Sequence, residues 1–156
     1  MRVTSMVAGL ALVLAACGGE KPADGAMTSD GAAPAATETP AATTTGATHD
    51  IDMTFENNEY KFVPAEFSAK PGDVLRFHNK LGGPHNVHFW ADSIPAGAEA
   101  AISIDREMSP LVSELLTTEG EVVTVTLAGT APTGAYHFTC DPHVAMGMHG
   151  VLTVAQ

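Results

Sequence analysis

A thiol, three imidazoles and two thioethers crowd into one stretch, Tyr136-His-Phe-Thr-Cys140-Asp-Pro-His143-Val-Ala-Met146-Gly-Met148-His-Gly-Val-Leu-Thr-Val154. Cys140, His143 and Met148 stand at the spacing Cys-x2-His-x4-Met, with Met146 as a second thioether two residues closer to His143. These are soft or borderline donors. A thiolate with an imidazole and a weak thioether selects copper over calcium or magnesium, which want oxygen, and two His with one Cys and a long axial Met form a one-electron copper site. Such a set needs a second imidazole from elsewhere. Pro84-His85-Asn86-Val87 supplies one, 55 residues upstream of Cys140.

The elements that must bring these groups together read as strands. Tyr136, Phe138 and Cys140 share one face of an alternating run, so the thiol ends an inward-facing apolar row. Pro142 forces a turn, and Gly147 lets the chain reverse so that Met148 approaches the same point. Ile51–Phe55 and Val74–His78 also alternate, and Lys70-Pro71-Gly72-Asp73 is a turn in which Pro fixes φ and Gly accepts a positive φ. Further strands are expected over Asn86–Ala91, Val122–Ala128, Tyr136–Cys140 and Val151–Val154, and their spacing predicts a two-sheet β-sandwich. A short helix is expected over 109–116, capped by Ser109 with Pro110 in its first turn. The segments of His85 and Cys140 must meet at one end of the sandwich.

With Pro-His-Asn at 84–86, Tyr-x-Phe-x-Cys-x-Pro-His-x3-Gly-Met at 136–148, Pro-Gly-Asp at 71–73 and the closing Gly-x-Leu-Thr-Val, the chain resembles the plastocyanin branch of the cupredoxins over about residues 50–156. The resemblance implies an all-β, Greek-key sandwich holding one copper ion and carrying single electrons, not an enzyme. It implies His85 and His143 as equatorial imidazoles, Cys140 as thiolate and Met148, in preference to Met146, as the axial ligand. It also implies that Asn86 ties the two ligand loops together by hydrogen bonds. Gly82-Gly83 departs from the pattern and is expected to loosen the approach to His85, while the region 92–118 has no assured counterpart. His88, His137 and His149 alternate away from the ligand face, His49 and His78 are expected at the surface or in turns, and Trp90 is expected to pack with its indole N–H paired.

Outside this domain the chain begins with an apolar run, Met1–Ala16, that reads as an export signal too short to span a bilayer. Its ending Leu14-Ala15-Ala16-Cys17 resembles the lipobox of bacterial lipoproteins, which implies a lipid on Cys17 and an extracytoplasmic, membrane-tethered protein. Residues 17–48, rich in Ala, Thr, Gly and Pro, read as a tether, leaving 49–156 as a monomeric folded head. With Cys17 lipidated, Cys140 has no disulfide partner, which points again to a metal. The net charge is −11, and the seven Lys and Arg form no cluster for nucleic acid. Redox proteins are the expected partners, with a basic c-type cytochrome or a membrane oxidoreductase as candidates. A copper-trafficking or copper-buffering lipoprotein is the alternative function. A copper oxidase would need a second metal motif and more chain, and zinc would gain little from a Met ligand.

Overall fold

The structure is a computed structural model that describes residues 46–156. The segments expected to form an export signal, a lipid site at Cys17 and, up to residue 45, a tether lie outside the described residues. Among the described residues eleven strands follow in chain order: β1 (Thr48–Glu56), β2 (Glu59–Val63), β3 (Glu66–Ala69), β4 (Val74–Asn79), β5 (His88–Phe89), β6 (Ile102–Ile104), β7 (Glu107–Ser109), β8 (Val112–Ser113), β9 (Val122–Leu127), β10 (Gly134–Thr139) and β11 (His149–Val154). One sheet runs β2-β1-β4-β9-β6 and the other β3-β11-β10-β5-β8-β7. The β1–β4 and β3–β11 pairs are parallel, and the other ladders are antiparallel. Thr48, assigned from sequence to the tether, is already paired with Val74.

Alternation makes the longer central strands two-faced. In β9, Val123, Val125 and Leu127 are buried while Val122, Thr124 and Thr126 are only partly so, and β4 buries Leu75 and Phe77 beside exposed Arg76. The two inner faces meet through aromatic rings. Phe62 and Phe77 of the first sheet approach Phe138 of the second edge-on, with centroids 4.8 and 5.5 Å apart, the arrangement favoured by the ring quadrupole. Tyr136, also fully buried, satisfies its hydroxyl by donating to the Pro132 carbonyl at 2.7 Å.

Because β1 runs parallel to β4, both begin at one end of the sandwich and finish at the other. At the starting end, the buried Asp73 carboxylate accepts from the Ala47 and Lys70 backbone N–H groups and from His49 Nε2, each at 2.8 Å. An ionised carboxylate only accepts, so the proton of the third bond belongs to His49. His78 Nε2 meets Asp50 Oδ1 at 2.6 Å in the same way. Both histidines therefore sit in strands and fasten the β1–β4 pair; neither occupies a turn. At the far end the Lys80 N–H donates to the Met53 carbonyl, and the chain turns into the loop that carries His85.

No helix forms over 109–116. That segment is the end of β7, a reversal at Leu111 with φ of 66°, and β8. An eight-residue helix is marginal by itself, whereas the unpaired edge of β5 offers a complete set of partners. The Phe89 N–H donates to the Leu111 carbonyl, Ser113 pairs with Val87, and Leu116 pairs with His85 in both directions. The unassigned region thus lines the strand beside the first imidazole. The expected strand over 86–91 shrinks accordingly to His88–Phe89, with His85 in an isolated bridge to Leu116.

Candidate metal centre

His85, Cys140 and His143 come together at the far end of the sandwich, the group among the described residues whose donor atoms all lie within 4.8 Å of one another. His85 is held by its bridge to Leu116, and its Nε2 lies 3.1 Å from the Leu81 carbonyl. A carbonyl only accepts, so Nε2 carries the proton and the lone pair stays on Nδ1. That Nδ1 is 3.5 Å from Cys140 Sγ. Cys140 follows β10 directly, and its N–H donates to the Met148 carbonyl at 3.2 Å, which anchors the two ends of the loop to each other. Between them Asp141–Met146 form a 3-10 turn with Pro142 in its first positions, and His143 presents Nδ1 at 3.4 Å from the same sulfur. Gly147 closes the turn with φ of 84°, a left-handed conformation that any side chain would strain.

The three donors fit a metal ion. An ion at the centre of a trigonal set, with bonds of about 2.0–2.3 Å to nitrogen and sulfur, leaves its donors about 3.5–4 Å apart, close to the edges of this triangle. Met148 is buried beneath the loop, its N–H donating to the His143 carbonyl at 3.2 Å. Met146 lies at the surface. Burial pushes the Cys140 thiol up to about 11, with the Asn86 and His143 N–H groups pulling the other way and the Asp141 charge adding to the rise. Burial also lowers the pKa of both imidazoles, opposed at His85 by the Leu81 carbonyl and reinforced at His143 by His85. At neutral pH the imidazoles are therefore neutral and ready to ligate, while the thiol must lose a proton to do so.

Asn86 links the two segments. Its Nδ2 donates to Asp141 Oδ2 at 2.8 Å and its Oδ1 accepts from the Asp141 N–H at 2.8 Å. His88 points outward, with Nδ1 2.8 Å from Asp141 Oδ1, and stacks on Trp90 at a centroid distance of 4.3 Å. Trp90 is 40% exposed, more a surface residue than a packed one, and its indole N–H donates to Thr139 Oγ1 at 2.9 Å. His137 and His149 are exposed on the outer face of β10 and β11. Gly82 and Gly83, expected to loosen this region, tighten it. A Cβ on Gly82 would lie 2.4 Å from Phe55 Cβ, and Gly82 has φ of 83°, so only glycine lets the two chains touch there.

One neighbour of the centre is absent from the sequence reading. Tyr60 stacks on His143 with ring centroids 3.7 Å apart and planes 11° apart. Alternation in Glu59-Tyr-Lys-Phe-Val63 puts Tyr60 on the buried side with Phe62, a signal that was available. Nothing along the chain, however, relates β2 to the 141–148 turn.

Comparison with known proteins agrees with this geometry. Residues 49–155 match the family described as copper binding proteins, plastocyanin/azurin family. Plastocyanin of Mercurialis perennis is 40% identical over 106 residues, which take in 67% of this chain and 98% of that protein. Plastocyanin of Solanum tuberosum is 37% identical over 105 residues, 67% of this chain and 98% of that one. Among solved structures, native pseudoazurin from Hyphomicrobium denitrificans superposes with a TM-score of 0.50 at 22% identity, covering 70% of this chain and 77% of that one, a likeness of fold. The sandwich, the buried Cys and His donors and these relatives lead to one conclusion: the chain belongs to the copper-binding plastocyanin/azurin family, whose members are electron carriers and not enzymes.

Proposed function

We propose that this protein carries single electrons through one copper ion held by His85, Cys140 and His143, with Met148 as weak axial ligand, and shuttles them between membrane-associated redox partners. The observation that carries the reading is the buried triangle of Sγ and two Nδ1 atoms with edges of 3.5 and 3.4 Å to the sulfur. Copper bound there supplies one-electron uptake and release. The protein's own share is to keep the donors in place. The Leu81 carbonyl orients His85, the backbone bonds across 140–148 lock the turn, and Asn86 holds the 85–86 and 140–141 segments in register. Little rearrangement is then needed when the charge of the site changes.

His143, 6% accessible, is the ligand nearest solvent, and exposed Leu81, Val144 and Met146 lie on the two loops that hold the imidazoles. An apolar rim around a barely accessible imidazole suits a small, transient redox contact. Partners of the c-type cytochrome or membrane oxidoreductase kind, and a lipid on Cys17 that keeps the head at an extracytoplasmic membrane face, belong to the same reading. The burial of His85, Cys140, His143 and Met148 supports retention of the ion over delivery, and metal-release rate against electron self-exchange separates the electron carrier from a copper-trafficking protein. The direct test is optical. Reconstitution with Cu(II) is expected to produce an intense visible thiolate-to-copper band that Cys140→Ser abolishes, and a colourless unaltered chain would overturn the assignment.

A further inference from the structure

The proposed ligands leave copper no open way in. His85, Cys140 and Met148 have no accessible surface and His143 only 6%. An incoming ion must therefore meet another group first. Met146 stands at that place. It is 55% exposed and closes the 3-10 turn three residues after His143. In a 3-10 helix residues i and i+3 fall on one edge, which sets position 146 on the edge of the turn that carries His143. The turn is pinned by the His143 N–H on the Cys140 carbonyl at 3.0 Å and the Gly147 N–H on the Val144 carbonyl at 3.0 Å, which fixes that relation. Leu81 and Val144, the other large apolar side chains exposed on these loops, have no donor atom to compete with it.

We propose that Met146 is the entry ligand for Cu(I), taking the ion at the surface and passing it to the buried donors. This rests on His85, Cys140, His143 and Met148 being the copper set. The step is a ligand exchange. The bond from Met146 sulfur to the ion breaks as bonds from the His143 nitrogen and the Cys140 sulfur form, the thiol proton leaves to water, and the ion keeps its oxidation state. Thioether sulfur selects Cu(I), so the route is specific to the reduced ion. Such a role also accounts for an unbranched apolar side chain standing in solvent two residues from a buried methionine.

Met146→Leu removes the sulfur and keeps the apolar volume. The full chain, stripped of metal, is mixed in stopped flow with Cu(I) held by a coloured chelator under anaerobic conditions, and uptake is read from loss of the chelator colour. The variant is expected to take up Cu(I) about fivefold more slowly, the effect of removing one favourable encounter contact from the barrier. Cu(II) uptake, read from growth of the visible band, is expected to be unchanged, as are the final band and the reduction potential. Met108→Leu, which alters an exposed methionine on β7, three strands from β10 in sheet order, serves as control and is expected to change neither rate. Equal Cu(I) rates in Met146→Leu and the unaltered chain overturn the proposal. Equal slowing of both ions overturns it too, since that marks a packing role for the loop. An unaltered chain that develops no visible band with Cu(II) overturns the four-residue copper set itself, and the entry role falls with it.

Discussion

At the scale of single residues, the centre is a set of groups whose protonation is arranged by burial. With the Cys140 thiol near 11 and both imidazoles below their ordinary range, the metal-free site at pH 8 holds one removable proton, on sulfur. Copper uptake at that pH is expected to release about one proton per ion, measured with an indicator dye in weak buffer. Release of none would mean that the thiol is already ionised. The axial position gives a second expectation. Met148→Leu should keep copper and raise the reduction potential, because losing a fourth ligand costs Cu(II), which prefers higher coordination, more than it costs Cu(I), whereas Met146→Leu should leave the potential where it was. A reversed outcome in voltammetry exchanges the roles of the two methionines. Cys140 and His143 were legible because spacing and strand parity are local, and Asn86 came from a family pattern. Tyr60 was not, because its contact with His143 joins segments that no periodicity connects.

At the scale of elements, one carboxylate does much of the fastening. Asp73 ties the start of β1 to the turn before β4 through three donors. Burial by itself would raise its pKa, but the Lys70, His49 and Ala47 donors outweigh that and hold it below the usual carboxylate value. A carboxylate whose folded pKa is depressed adds stability that is present above the unfolded pKa, about 4, and lost as pH falls through the folded one. Asp73→Asn is therefore expected to lower unfolding stability at pH 7 by about 1–3 kcal/mol, the cost of weakening buried charge-assisted bonds. The difference from the unaltered chain should shrink below about pH 4, as followed by urea midpoints, and a pH-independent difference would deny the carboxylate this role. The strands that alternate most regularly, β4, β9 and β10 up to Phe138, could be read from the sequence because each buries one face. Residues 109–116 could not. Their local preference for a turn of helix was overruled by the open edge of β5, a partner set that appears only once the sandwich has formed.

At the scale of the molecule, charge and direction matter most. From residue 49 onward there are fourteen Asp and Glu against five Lys and Arg. Electron transfer with a basic protein partner is expected to slow as ionic strength rises from 0.01 to 0.15 M, where the screening length falls from about 30 to about 8 Å. A flat stopped-flow profile would sink long-range steering and leave contact chemistry alone to choose the partner. The parallel pairing of β1 with β4 adds a vectorial property. Residue 46 and the ligand loops sit at opposite poles, separated by the six-residue length of β4, about 20 Å at 3.3 Å per residue. Grafting the head through its amino end onto any support, whether a bilayer, a bead or a gold electrode, leaves the redox pole facing outward. The film so formed exchanges electrons readily with species in the bath and slowly with the support beneath it, whereas grafting through the 141–148 turn reverses that preference.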